Sequence, residues 1–263
     1  MRLKINKKIL RTFIPLSFII ITSGCDNSEE DFIETPTVGE DTTQQDINDT
    51  PSQPIQWCGT PDPEGATVLT NEDSLDYLAL VNRCYRLSAD FSPHDLRVVD
   101  VPSVRGPHNG AHLLRESAAT AAEELFEQAL IDGYALVAAS AYRSYDLQSF
   151  YHGHAIEAWG LEEARRRSAI PGHSEHQLGL ALDLTTEGLN FDLLQSFSET
   201  AEGQWIAKNA HRFGFIISFP DGMEAETGII YEPWHIRFVG IEAATAMFND
   251  RVILEEFIWQ NNN

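Results

Sequence analysis

The sequence predicts an α+β domain with a small, mainly antiparallel sheet packed with helices, and three observations carry that expectation. Of the 263 residues, 43% are hydrophobic, enough to bury one sizeable core. Segments of alternating apolar residues are mixed with segments of helical spacing, without the regular βαβ alternation of a parallel sheet. The connections between them are short enough for hairpins. No internal repeat, glycine-rich phosphate loop or membrane-spanning stretch is found after residue 24.

Taken in order, residues 1–24, MRLKINKKILRTFIPLSFIIITSG, join a basic start to an apolar run and small residues, the make-up of a secretory signal. Its end, Thr22-Ser23-Gly24 before Cys25, is similar to a bacterial lipobox, although Thr22 stands where leucine is preferred. Cys25 is then the lipid-bearing first residue of the mature protein. An uncleaved anchor and an ordinary signal peptide are the competing readings. All three place the remaining chain outside the cytoplasmic membrane, and the expected location is the bacterial envelope, as a membrane-anchored lipoprotein. Losing the five basic residues of this segment lowers Lys+Arg from 18 to 13 against 40 acids, a net charge of about −27. Such a surface repels nucleic acid and anionic headgroups.

Residues 25–56 are acidic and rich in Thr, Gln, Asn and Pro, too poor in apolar groups to offset the entropy of ordering, and are expected to form a disordered tether. The folded domain spans 57–263. In it Cys58 and Cys84 make an even pair, read either as a disulfide or as two separate buried thiols; neither has the spacing of a zinc ligand.

Within the domain, 72–87 has helical spacing, and DLRVVDVP (95–102) reads as a strand. HLLRESAATAAEELFEQALIDG (112–133) is the clearest helix, with Gly133 as its stop. YALVAASAYRS is a buried strand that breaks into polar residues at Arg143. Helices are expected over 145–168 and 191–213, the second closed by Gly214. GFIISFP is a strand, TGIIYEPWHIRFVG begins as one, and IEAATAMFND is a helix with a short one after it.

The chemistry concentrates in three places. Read as a strand, QLGLALDL turns Leu178, Leu180, Leu182 and Leu184 to the core and Gly179, Ala181 and Asp183 to the other face. Two small residues beside one acid leave open space for a ligand or metal. His176 stands seven residues before Asp183, about 23 Å along an unbroken strand, so both can hold one metal only if the chain turns between them. Glu232 and His235, three apart in YEPWHIRFVG, fall on opposite faces of a strand but are neighbours on a helical turn, which Pro233 can begin; the competing reading is a surface Glu232 and a His235 stacked on Trp234. A carboxylate beside a metal-binding imidazole is the arrangement of a general base for water. In SAYRSYDLQ a buried strand delivers Arg143 into polar surroundings, either to clamp a substrate carboxylate or to form an ordinary salt bridge.

Together, Ser174-x-His176-x-x-Gly179-x-Ala181-x-Asp183, Glu232-Pro-Trp-His235 and Ser140-Ala-Tyr-Arg143-Ser resemble the VanY-like zinc D-alanyl-D-alanine carboxypeptidases, in order and over most of the folded chain. The resemblance implies His176, Asp183 and His235 as ligands of one zinc ion and Glu232 as catalytic acid/base. It further implies Arg143, Gln148 and Ser174 lining the pocket for the substrate's C-terminal end, with Arg143 either clamping the terminal carboxylate or assisting at the oxyanion. Where many relatives read Arg-Tyr-Pro, this chain has Ser218-Phe219-Pro220. The expected activity is removal of the terminal D-alanine from pentapeptide stems of peptidoglycan. The alternatives are an L,D-carboxypeptidase on tetrapeptide stems, a dipeptidase on D-Ala-D-Ala, and a wall-binding module with a structural zinc. The expected partners are the stem peptide and, through Cys25, a membrane; the expected state is a monomer.

Overall fold

The computed structural model of the protein describes residues 65–104 and 112–262. The signal segment 1–24, the tether 25–56, Cys25 and Cys58 lie outside the described residues. Cys84 is disulfide-bonded, and its partner also lies outside them. No helix among the described residues is long and apolar enough to cross a membrane.

The architecture is α+β. Three short strands and a helix open the domain: β1 (Thr67–Val68), α1 (Asn71–Leu75), β2 (Tyr85–Arg86) and β3 (Leu96–Val98). β4 (Leu113–Arg115) leads into α2 (Glu116–Ile131), β5 (Val137–Ser140), α3 (Tyr145–Trp159) and α4 (Leu161–Arg167). β6 (Ala181–Thr185), α5 (Ala201–Asn209), β7 (Phe215–Ile217), α6 (Glu224–Thr227), β8 (His235–Phe238), α7 (Ile241–Asp250) and α8 (Leu254–Asn262) complete it. The main sheet has the order β5-β6-β8-β7 and is antiparallel throughout, while β3 pairs with β4 and β1 with β2 in two small ribbons. β6 sits inside the sheet with every residue buried. One of its faces joins the core through Leu182 and Leu184, against which Leu178, Leu180, Ile236 and the Ala118, Ala122, Leu125 and Ala129 stripe of α2 also pack. Their burial is the main source of stability.

Several boundaries differ from expectation, each for a local physical reason. The helix over 72–87 is only the five residues of α1. Asp76 accepts the amide of Leu78 on its side chain, and Asn82 accepts those of Cys84 and Tyr85, local bonds that compete with helix continuation. Residues 113–115 are strand rather than the start of α2 because they pair with β3. Gly160, at φ +77°, separates α3 from α4. The helix over 191–213 is three pieces, 3-10 turns at Gln195–Glu199 and Ala210–Phe213 on either side of α5. Thr200 caps α5 by accepting the amide of Gly203, and a Cβ on Gly203 would lie 1.9 Å from the Phe197 carbonyl oxygen. In TGIIYEPWHIRFVG the strand comes at the end, in β8; Pro233 has no amide for a ladder, and the chain makes a turn from Glu232 to His235.

The QLGLALDL segment differs most usefully. Glu175–Leu178 is a 3-10 turn closed by Gly179 in the left-handed region at φ +67°, and the strand starts only at Ala181. The two small residues do not leave open space for a ligand. A Cβ on Gly179 would meet Leu96 Cδ2 at 2.7 Å and Arg115 Cγ at 3.1 Å, and Ala181 pairs in register with the fully buried Arg237. Gly179→Ala is therefore expected to cost about 2 kcal/mol from the left-handed backbone and the overpacking together. The melting temperature should fall by roughly 4–8 °C, which differential scanning calorimetry on the purified domain would read.

Candidate metal centre

The site is assembled by sheet register and one turn. β6 and β8 align Asp183 opposite His235, and cross-strand partners share a face. β5 contributes Ser140 opposite Asp183 and then runs into Arg143, whose amide donates to the His176 carbonyl. The 3-10 turn with Gly179 folds His176 back over the sheet, so that His176 Nε2 lies 3.2 Å from Asp183 Oδ2. His235 Nδ1 lies 3.0 Å from Asp183 Oδ1, and the two imidazoles meet edge to face at 4.9 Å. The donor atoms of the three residues all lie within 4.8 Å of one another, and all three residues are buried.

The protonation pattern fits a cation at this point. His176 Nδ1 is 2.6 Å from the Ala141 carbonyl, which can only accept, so Nδ1 carries the proton and Nε2 presents a lone pair. Burial, with the Arg143 charge adding to it, lowers the His176 pKa to about 4. The ring is thus neutral at neutral pH, and among the described residues its buried Nε2 has no hydrogen-bond partner. Burial works against the Asp183 carboxylate too, but His176 and His235 outweigh it and hold its pKa far below the usual carboxylate range. A lone pair turned to a permanent carboxylate in a dry site is repulsive unless a cation lies between them. Two nitrogens and a carboxylate oxygen form the three-donor set of a catalytic zinc, which keeps a fourth position open.

Two residues that the sequence reading passed over hold the second imidazole. His235 Nε2 donates to Glu175 Oε2 at 2.8 Å, which leaves Nδ1, on the Asp183 side, as the ligating atom. Glu175 Oε1 in turn takes Arg237 Nη1 at 3.1 Å. The guanidinium is itself fixed by its Nη2 to the Tyr77 and Ala79 carbonyls, and the Ser218 hydroxyl lies beside Glu175 as well. Burial opposes the Glu175 charge, but Arg237 and His235 prevail and keep it ionised. The available signal was the alternation of His235 and Arg237 on one strand face. In this arrangement Glu175 fixes the tautomer and angle of a metal-binding histidine. Glu175→Gln is expected to weaken zinc binding by about 10–100-fold, read by competition with a chromogenic chelator.

Burial against the flank of His235 also defines Glu232, whose Oε2 lies 4.0 Å from His235 Nδ1. Burial pushes its pKa up to about 8; the nearby His235 and Arg143 charges oppose the shift, and Asp183 and Glu175 add to it. Arg143 reaches toward the same centre, with Nη2 3.9 Å from Asp183 Oδ2 and its guanidinium over the Tyr151 ring. Ser174, His176, Glu232, His235 and Arg143 all line one cavity. Gln148 is not on that wall. It is buried behind it, with its side-chain amide donating to the Ala169 carbonyl at 2.6 Å and to Ser168, two residues that are on the wall.

Comparison with known proteins agrees with this centre. The family model for VanY, D-alanyl-D-alanine carboxypeptidase, matches residues 111–241, the stretch that carries Arg143, the three metal donors and Glu232. A putative carboxypeptidase of Bacillus subtilis (strain 168), YodJ, is 38% identical over 194 residues, 74% of this chain and 70% of the relative. The chain belongs to the VanY D-alanyl-D-alanine carboxypeptidase family. A solved LD-carboxypeptidase, LdcB, overlays with a TM-score of 0.70 at 37% identity, covering 74% of this chain and 90% of that one. The D,D-pentapeptidase VanY from a VanB-type resistance cassette, solved with Zn(II), overlays with a TM-score of 0.56 at 30% identity, covering 69% and 98%. As a member of the VanY family the protein is a zinc metallocarboxypeptidase, and His176, Asp183 and His235 form its metal site.

Proposed function

We propose that the protein removes the C-terminal D-alanine from peptidoglycan stem peptides, with the tetrapeptide stem as its preferred substrate. The observation that carries the hydrolytic reading is the convergence of three metal donors beside a cavity that His176, His235, Arg143 and the largely buried Glu232 line. The greater overlap with LdcB than with the resistance VanY favours tetrapeptide over pentapeptide, reversing the order expected from the motifs alone. The wall-binding alternative is disfavoured, because a structural zinc is closed by a fourth protein ligand and needs no base.

Zinc, when bound, supplies Lewis acidity and lowers the pKa of water toward about 7. His176 and His235 offer one nitrogen each and Asp183 one oxygen, and His235 Nδ1 must give up its proton to do so. Glu232 holds and moves the proton. Burial raises its pKa to about 8 while His235 and Arg143 limit the rise, close enough to neutrality for a group that both takes and returns a proton. It accepts a proton from the attacking water and delivers it to the leaving amine of D-alanine. Arg143 and Ser174 face the cavity from the side where the terminal carboxylate would sit, and Gln148 keeps that wall in place. Work outside the cytoplasmic membrane, on a tether anchored at Cys25, belongs to the same proposal and is supported by the composition of residues 1–56.

Incubating the purified zinc protein with tetrapeptide and pentapeptide stems and following mass by chromatography tests this. Loss of one alanine, faster from the tetrapeptide and abolished by chelation, is the expected result. A faster pentapeptide reaction would return the D,D-reading, and unchanged turnover after complete metal removal would sink the hydrolytic scheme.

A further inference from the structure

The cavity wall carries positive charge that the scheme above does not use. Besides Arg143, its wall includes Arg83, Arg165 and Arg167. In a chain with 18 basic residues against 40 acids, four arginines around one cavity are not what composition alone would supply. Arg143 acts on His176 and Glu232. The charges that act on Arg83 are those of Arg165, Glu224, Glu162 and Arg166, none of them at the metal centre.

Arg83 and Arg165 keep donors in hand. Arg83 Nη2 donates to the Gly228 carbonyl, a neutral partner that takes one of the five N–H groups of a guanidinium. Arg165 has an ion pair with Glu162 at 3.7 Å, but that carboxylate is 88% exposed, and such surface pairs contribute little. Arg165 Nε is buried and has no hydrogen-bond partner among the described residues. Burial and the like charge of Arg165 both work against the Arg83 guanidinium. Two such forks facing one space suit an anion that accepts from both.

We propose that Arg83 and Arg165 bind a second carboxylate of the stem peptide, upstream of the D-alanine that is removed. This rests on the carboxypeptidase reading. A stem offers such a group in two places: the side chain of a third residue that is a diamino dicarboxylic acid rather than lysine, and the α-carboxylate of a γ-linked D-glutamate at the second. The chemistry recognised is the same, and it makes the enzyme selective between wall types.

The test uses the zinc protein and four tetrapeptide stems, with meso-diaminopimelate or lysine third and D-glutamate or D-isoglutamine second. The parent should cleave stems with the recognised carboxylate with kcat/KM about 10–100-fold higher than stems lacking it, the range of a charge-assisted pair, and the pairwise comparison tells which position supplies it. Arg165→Gln and Arg83→Gln should each reduce that ratio toward one, mainly through KM. Arg165→Lys, which keeps charge but not the fork, should retain part of it. Melting curves close to that of the parent would show the variants folded. Equal kcat/KM for all four stems in the parent overturns the proposal, as does a variant that lowers all four in proportion. Release of no alanine from any stem would instead refute the carboxypeptidase reading.

Discussion

Replacing Glu232 with glutamine is expected to lower kcat on the stem peptide by about 10²–10⁴-fold, the contribution of a positioned proton-transfer group. Glutamine preserves the volume and the turn through Pro233 but cannot accept and return a proton. The carboxyl is largely covered, its side chain 13% exposed beside His235, and it lies on the cavity wall, so solvent acid does not replace it readily. Because its Oε2 is 4.0 Å from the nearest ligating nitrogen, zinc content should stay at one ion per chain, and KM should change far less than kcat. Steady-state kinetics together with metal analysis check this, and a variant that cleaves as fast as its parent would remove Glu232 from the mechanism. The pH profile is a second reading: the limb that reports this carboxyl should disappear.

Asp183→Asn is expected to abolish measurable turnover and to let zinc be lost on dialysis. The carboxylate faces both imidazoles, at 3.2 Å from His176 Nε2 and 3.0 Å from His235 Nδ1, and an amide keeps the shape while removing the charge that both the metal and His235 use. The metal-free protein should also lose on the order of 3–5 kcal/mol, the cost of breaking a buried charged set. The sign with pH follows from the depressed Asp183 pKa. Its stabilisation is fully present above the unfolded value of about 3.9 and is lost as pH falls below it. The opposite holds for His235, raised to about 10 by Asp183 and Glu175 against the effect of burial. Its share is complete below about 6.5 and is lost as pH rises toward 10. Metal-free Asp183→Asn should therefore show a weaker acid transition than the metal-free parent in denaturant titrations at several pH values. Equal curves would show that the carboxylate is not coupled to folding.

Much of the fold was legible where local rules suffice. The alanine-rich stripe of α2 with Gly133 after it, the buried run of β5 ending before Arg143, and the break into α7 and α8 all follow from spacing and stop signals. The short helix at 71–75 and the split of 191–213 were not, because side-chain bonds from Asp76, Asn82 and Thr200 compete with helix over distances of two or three residues, and β8 starts late because Pro233 has no amide for a ladder and the chain turns from Glu232 to His235. The small residues at 179 and 181 carried a true signal with the wrong cause. Gly179 is required by a left-handed turn against Leu96, and Ala181 lies beside Arg237. Neither makes room for substrate.

By itself the sequence determined the chemistry available: which residues can ligate a metal, that His176 and Asp183 can share one only if the chain turns between them, and that Glu232 and His235 are close enough to be neighbours on a turn. Those are consequences of residue type and short spacing, set by backbone geometry within a few residues. Only the tertiary structure decided what meets across the chain. The antiparallel register of β6 and β8 brings Asp183 to His235 over 52 residues, and the packing of the rest of the domain sets Glu175 and Arg237 behind the imidazole and Arg83 and Arg165 on the cavity wall. Pairings at that separation depend on how the whole core packs, since strand register is selected by the burial of an entire face and leaves no local mark on either strand.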